Sequence, residues 1–510
     1  MPRYAAIDIG SNSIRLEAAE VTPGQPVRIL ASDREVTRLG ESVFRSGVVS
    51  EDAMKDTCAV LGRMAGLYRK LEVVGVRAVA TSAIRDTRNQ REFLARATEA
   101  VGAPVEIISG REEARLIHLG VESSWPQGVK HTLIIDIGGG SVEIIAAEDG
   151  SLRESFSKPL GAVRLQEIFL QEDPPLPHQL HLMHEFVQEK LASVVRRLGH
   201  TQWERTIATS ATASAVASAV ARVARSQRDG IDRLRVSTAQ VRRLYARLSG
   251  LPLAGRRKIT GIGPRRAEII VPGLAVLMDF LRAMRQPAMY YSRAGVRDGI
   301  IADLAARNVG AERSHLTRDQ RREVEEMCRR YAVSLDHARK VSHIAGLLFT
   351  ALHPLHQLSP PTGKLLEAAA YLLDVGHYIS GVSHHKHSYY VVANSDMPGF
   401  TDRERLVIAS LCRYHRKSMP SPMHGAYQAL SADERRVLMQ LTPILRLADN
   451  LDRSHEQSID QVECRVQDGE VALQVHSRGD IDLVEWGAQR AGQVFEEVYN
   501  RRVTVTKAKD

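Results

Sequence analysis

One short unit occurs twice in this chain and constrains its fold more than any other feature. It is an apolar strand ending in Asp-Ile-Gly, a small polar turn and a returning apolar strand. The first copy spans 4–16 and turns through Asp8, Ile9, Gly10, Ser11, Asn12 and Ser13. The second spans 132–147 and turns through Asp136, Ile137, Gly138, Gly139, Gly140 and Ser141 toward Glu143. An apolar run, a glycine turn and a second apolar run make the pattern of a β-hairpin. Each copy is followed by another turn signal, Pro23-Gly24 and Asp149-Gly150, and a further β-rich stretch. A repeated unit of this kind predicts two similar lobes facing one cleft, each offering a loop to the same ligand.

The turn chemistry points to phosphate. Consecutive glycines let the backbone approach a ligand closely, and their successive N–H groups form a nest for anionic oxygens. Asp136 and Glu143 flank that nest, and paired carboxylates beside phosphate suit a hard cation such as Mg²⁺. Taken singly, the loop is equally a flexible hairpin turn with two solvated acids. The second copy is what carries the phosphate reading.

Global properties bound the rest. At 510 residues the chain has room for three or four domains, and its 44% hydrophobic content supplies ordinary cores. No apolar run reaches the roughly 18 residues of a membrane span. The sequence opens on a strand with an acid rather than on a basic and then apolar leader, which predicts neither a transmembrane span nor a signal peptide. Cys58, Cys328, Cys412 and Cys464 show no paired or metal-type spacing, as expected in a reducing compartment. A net charge of +9 favours a polyanionic partner. Charge by itself does not separate nucleic acid, nucleotide and polyphosphate.

Residues 1–124 read as α/β. A helix is predicted over 50–70 with Ser50 as its N-cap, then a buried strand over 73–80. That strand runs into Thr81, Ser82, Ala83, Ile84 and Arg85, at the carboxyl end where α/β clefts form. Arg85 is there either a bidentate phosphate clamp or an exposed loop arginine. The strand 105–108 leads through Ser109-Gly110 into a helix with Glu112 and Glu113 in its first turn. Acids there serve the helix dipole, or one of them faces the cleft and activates a water. Residues 125–300 form the second lobe, in which Arg164 is a further cleft candidate.

Taken together, Asp8 to Ser13, Thr81 to Arg85, Ser109 to Arg115, Asp136 to Glu143, Arg266-Ala267-Glu268 and Gly295 to Gly299 resemble the exopolyphosphatase/guanosine pentaphosphate phosphohydrolase (Ppx/GppA) family. The motifs run in order across the first 300 residues. The resemblance implies a duplicated actin-like fold of the acetate and sugar kinase type, with the active site between the lobes. It implies Mg²⁺-dependent hydrolysis of a terminal phosphoanhydride, stimulated by K⁺, in inorganic polyphosphate or in pppGpp. Carried over by position, Glu113 is the general base, with Glu112 as the alternative. Asp136 and Glu143 hold Mg²⁺, with Asp8 as a third candidate. Gly10, Ser11, Asn12, Ser13, Arg85, Gly138, Gly139, Gly140 and Ser141 grip the phosphates. Arg15 stands where an aromatic or histidine is commoner and adds a phosphate contact; Ala211 replaces a usual glycine. The same resemblance implies a cytoplasmic homodimer, peripherally associated with membrane at most, that needs no nucleic acid. A non-catalytic sensor and a kinase are the competing readings, and fold alone does not choose among them.

From about 301 the sequence becomes helical and rich in histidine. His337, Asp374, His387, His415 and Asp449 resemble the remnant of a histidine–aspartate (HD) metal phosphohydrolase domain over about 301–455. Imidazoles and carboxylates so placed suit a transition metal. Leu373 stands where the paired histidine belongs, so a degenerate domain serving polymer binding and dimer contacts is expected. Residues 456–510 read as a small α+β unit, with Asp468-Gly469 turning a hairpin.

Overall fold

The repeat in the sequence is a repeat of topology. In the computed structural model, which describes residues 1–307, 314–453, 459–477 and 481–508, the first sheet is built from β1 (Arg3–Ile9), β2 (Ile14–Glu20), β3 (Arg28–Glu35), β4 (Gly75–Ala80) and β5 (Val105–Ile107) in the order β3-β2-β1-β4-β5. The second contains β6 (His131–Ile137), β7 (Val142–Glu148), β8 (Ser151–Lys158), β9 (Arg205–Thr209), β10 (Arg235–Ser237) and β11 (Ala288–Tyr291) in the order β10-β11-β9-β6-β7-β8. In each, an antiparallel three-strand meander is extended by parallel strands on the far side of its first strand. The fold is therefore the duplicated, actin-like two-lobed α/β architecture, with β10 added at the edge of the second sheet.

Both sheets are covered by helices, which is why β1 and β6 read as near-continuous apolar runs. In the first lobe the helix Glu51–Arg69 starts where Ser50 Oγ accepts from the Ala53 amide at 3.3 Å. An N-cap of this kind is worth about 1 kcal/mol. Leu61, Met64 and Phe93 pack with Ile7, Ile9 and Leu16 beneath that sheet. In the second lobe the helices Pro177–Leu198 and Ile270–Ala283 bury Met183, Val187, Leu274 and Leu277 against Leu133, Ile135 and Ile144.

Two helices join the lobes. Gly110–Ser124 leads from β5 to β6, and Val296–Ala306 leaves the second lobe and packs against both β1 and Gly110–Ser124. The two cross with backbone nearly touching backbone: a Cβ on Gly299 would run into the Leu116 carbonyl, and one on Gly120 into the Gly295 carbonyl. Beside the crossing lies a buried ion network. Arg77 reaches Glu112 at 3.0 Å and Asp303 at 3.1 Å, and Arg115 reaches the same two acids at 2.7 and 2.9 Å.

The chain divides into two compact units, Met1–Gly310 and Ala311–Asp510. The second unit is helical, with Leu335–Ala351, Gly363–Leu372, Asp402–Tyr414 and Ala432–Leu451 around a core that includes Val341, Leu348, Leu366, Leu411 and Leu445. It ends in β12 (Ile459–Val466), β13 (Glu470–Ser477) and β14 (Arg502–Lys507), packed with the helix Asp482–Tyr499. Gly469 turns the hairpin between β12 and β13 at φ +85°, and β14 joins β13 in parallel. Among the described residues, no helix is long and apolar enough to cross a membrane.

Candidate active site

The two repeated turns face each other across a cleft of about 520 Å³. Each is closed by the same bond: the Gly10 amide donates to the Ser13 carbonyl at 3.2 Å, and the Gly138 amide to the Ser141 carbonyl at 3.0 Å. Further bonds fix both loops from behind. Gly40 N donates to Ser11 O at 2.6 Å, and Val163 N to Gly139 O at 2.9 Å. The loops come so close that a Cβ on Gly140 would sit 2.6 Å from Ser11 Oγ, Ser82 Oγ and the Phe44 ring. Only glycine lets the second loop reach the first.

Acids gather at the strand ends. Asp8, Glu113 and Asp136 line the cleft, and Glu143 lies opposite Asp136 in the β6–β7 register. Burial, then Glu113 and Asp8, pushes Asp136 up to about 7 against the pull of Arg15 and Arg266. Burial, then Glu113 and Asp136, pushes Glu143 well above the carboxylate range. Glu143 Oε1 accepts from Ser157 Oγ at 2.8 Å, while the buried Oε2 has no hydrogen-bond partner. Burial favours the neutral form of such a group and a nearby cation the charged form, so the donor set fits a hard divalent metal. Among the described residues, these acids do not close into a three-ligand cage. That spacing fits Mg²⁺, which keeps waters and takes substrate oxygens beside one or two carboxylates.

The structure separates the two glutamates of the Gly110–Ser124 helix. Glu113 lines the cleft, and its Oε2 accepts from Arg85 Nη1 at 2.9 Å. Glu112 turns away into the buried network with Arg77, Arg115 and Asp303, and it is not a cleft residue. Adjacent helix positions point about 100° apart, so one first turn serves both purposes. Burial, then repulsion by Asp8, raises Glu113 against the attraction of Arg85. Arg85 Nη1 also donates to the Ile108 carbonyl at 2.7 Å, and Nη2 reaches Ser141 Oγ at 3.4 Å. It is a brace between Glu113 and Ser141 of the second turn rather than an exposed loop arginine.

Gly10, Ser11, Asn12, Ser13, Arg15, Gly138, Gly139, Gly140, Ser141 and Ala211 all line the cleft. Arg164 does not. Its Nε donates to Gly140 O at 2.8 Å, its Nη2 pairs with Asp86, and its guanidinium lies 4.0 Å from the Phe44 ring centroid, making it a strap between lobes. Sequence reasoning gave no role to the cleft arginines Arg34, Arg228, Arg266, Arg293 and Arg297. Arg266 and Arg297 stood inside motifs already singled out; the other three lie in segments without a local signal.

In the second unit His337 lies near Asp374 and Asp449, and His415 meets His384 beside Asp374, whereas His387 does not join them. His384 takes that place, because residues 384 and 388 share the helix face that docks on 373–376. There Ser388 Oγ donates to Leu373 O at 2.6 Å and accepts from Gly376 N at 3.0 Å. His377, which sequence reasoning passed over, also points at Asp374.

The model of the Ppx/GppA phosphatase family matches residues 18–308, and that of Ppx/GppA phosphatase domain III matches residues 320–482. Among solved structures, a Ppx/GppA family member from Aquifex aeolicus is 28% identical with a TM-score of 0.54, covering 60% of this chain and 98% of its own. An exopolyphosphatase from Cytophaga hutchinsonii is 25% identical with a TM-score of 0.55, covering 59% and 97%. An exopolyphosphatase-like protein is 26% identical with a TM-score of 0.57, covering 61% and 99%. The first match takes in more than half of the residues, and the chain is a member of the Ppx/GppA phosphatase family.

Proposed function

We propose that the chain is a phosphoanhydride hydrolase that removes the terminal phosphate of inorganic polyphosphate. The observation that carries this reading is the apposition of two anion-binding turns over Glu113, Asp136 and Glu143 in a cleft lined with arginines. Mg²⁺ held by Asp136 and Glu143, with Asp8 near, would neutralise charge on the terminal phosphoryl group. Loop amides from both lobes take up the phosphoryl oxygens. Glu113 accepts the proton of the attacking water, and its raised pKa makes it a stronger base than an ordinary carboxylate. Arg85 holds that carboxylate in line and couples it to Ser141. Positioning and electrostatics carry most of such a reaction. Arg34, Arg228, Arg293 and Arg297 extend positive charge along the cleft, which suits a chain of phosphates.

The second reading is release of the 5′-phosphate of pppGpp. Ile29, half-exposed on the cleft wall, offers an apolar surface that a nucleobase would use and a phosphate chain would not. Phosphate release from long-chain polyphosphate and from pppGpp, measured side by side, separates the two; at least tenfold higher kcat/KM on polyphosphate is expected. The reverse ratio installs the second reading, and tight binding without turnover of either would make the protein a sensor. The proposal includes Mg²⁺ as the metal, with K⁺ as a stimulating ion, and a cytoplasmic homodimer as the working form.

A further inference from the structure

The second unit holds a cluster that the proposed reaction does not use. Asp374 lies in the turn after the helix Gly363–Leu372 and meets histidines from three directions. Nε2 of His377 is 3.5 Å and Nε2 of His384 is 3.6 Å from Asp374 Oδ1, and the three ligand atoms lie within 4.8 Å of one another. A fourth nitrogen is close: Nε2 of His415 is 3.2 Å from Nε2 of His384. The rings of His377, His384 and His415 stack in sequence, with centroids 3.8 and 5.2 Å apart.

The surroundings fix these donors. His415 Nδ1 donates to the Cys412 carbonyl at 2.6 Å, so in the neutral ring Nε2 carries the lone pair. On the other side of the carboxylate, His337 Nε2 is 3.7 Å from Asp374 Oδ2 and 3.9 Å from Asp449 Oδ1, and His337 Nδ1 is held by Asp452 at 2.7 Å. Carboxylates and carbonyls behind imidazoles are the usual support of a metal centre, since they set tautomer and ring orientation. A hydrogen-bonded polar core accounts for the buried His384–His415 pair. It does not account for His377, 50% exposed yet turned inward on Asp374. That exposed edge is also a path of entry.

We infer that Asp374, His377, His384 and His415 bind one divalent transition metal ion, with His337 and Asp452 orienting the carboxylate from behind. Three imidazoles and one carboxylate suit Zn²⁺, Co²⁺ or Ni²⁺ far better than Mg²⁺. The loss of the expected histidine at Leu373, buried in the core, is then offset by ligands on the opposite side of Asp374, and the site does not depend on the substrate of the cleft.

The test is metal titration of the full-length protein after chelation, with millimolar Mg²⁺ present to occupy the cleft. One Zn²⁺ per chain is expected, and Co²⁺ in the same site should give the intense visible absorption of a tetrahedral ion. Asp374→Asn and His384→Gln should each weaken Zn²⁺ binding by about 100-fold or more. His377→Gln, whose half-exposed side chain is not needed for folding, should weaken it by about tenfold or more, on the scale of lost supporting contacts at metal centres. Glu143→Gln should leave it intact. Absence of stoichiometric Zn²⁺, retention at wild-type affinity in folded His377→Gln, or loss in Glu143→Gln would each overturn the assignment.

Discussion

The turn after β1 and the turn after β6 share a backbone and differ in one decisive pair. Both carry an aspartate at the strand end and the same Gly N–H to Ser carbonyl bond. In the register of the first hairpin Asp8 stands opposite Arg15, whereas in the second Asp136 stands opposite Glu143. The turn is repeated, and one side chain opposite the aspartate sets the two copies apart. The first loop brings a cation to the cleft, and the second pairs its aspartate with a second acid. Burial and Arg297 push Arg15 down while Asp8 and Asp136 oppose them, so the two loops also stabilise each other's charges across the cleft.

The largest effect should come from the base that serves both loops. Glu113→Gln should cut kcat by about 10²–10⁴, the usual contribution of a positioned base, while polyphosphate binding persists; turnover near wild type would remove Glu113 from the reaction. The next test divides the lobes directly. Glu143→Gln should raise the Mg²⁺ concentration for half-maximal activity by about tenfold or more, and Arg15→Gln should instead raise KM by about tenfold, the loss of one charge-assisted contact. If Arg15→Gln shifts the Mg²⁺ response and Glu143→Gln shifts only KM, the division of labour is reversed.

The shared frame can be broken too. Asp303→Asn leaves Arg77 and Arg115 buried with one anion fewer and should cost about 3–5 kcal/mol in denaturant unfolding of the first unit. Burial alone would raise Asp303, but Arg115, Arg307 and Arg77 outweigh it and hold it well below the usual carboxylate range. A depressed acid stabilises the fold above its unfolded pKa, about 3.9, and loses that contribution as pH falls toward the folded value. Thermal unfolding of the wild type should therefore weaken below about pH 4, and Asp303→Asn should flatten that slope. The smallest effect is on the acid limb of kcat at saturating Mg²⁺. Because Glu113 is raised and acts deprotonated, activity should rise with pH through a midpoint above the usual glutamate value, about 4.3. A midpoint at or below that value would mean the base is solvated.

What the sequence shows is what lies close together along it. Gly138, Gly139 and Gly140 flanked by Asp136 and Glu143 can be read because the loop's chemistry is contiguous, and its double near Asp8 names the fold. The choice between Glu112 and Glu113 cannot be read from the local sequence, because Arg77, which draws Glu112 away, comes from a distant segment. That His384 rather than His387 meets Asp374 is hidden for the same reason: the docking face of His384–Asn394 is set by the turn at Gly376, not by the helix itself. Arg34, Arg228 and Arg293 reach the cleft from separate loops, and nothing in their neighbours marks them.

The crossing at Gly120 and Gly299 has a mechanical consequence. A joint of backbone against backbone has no side chains to compress, so any opening of the two lobes must turn about it as about a pin. Glu113 is seven positions from Gly120 along one rigid helix, about 10 Å. Glu113 therefore shares one stiff helix with the joint, and its place in the cleft is tied to the crossing itself.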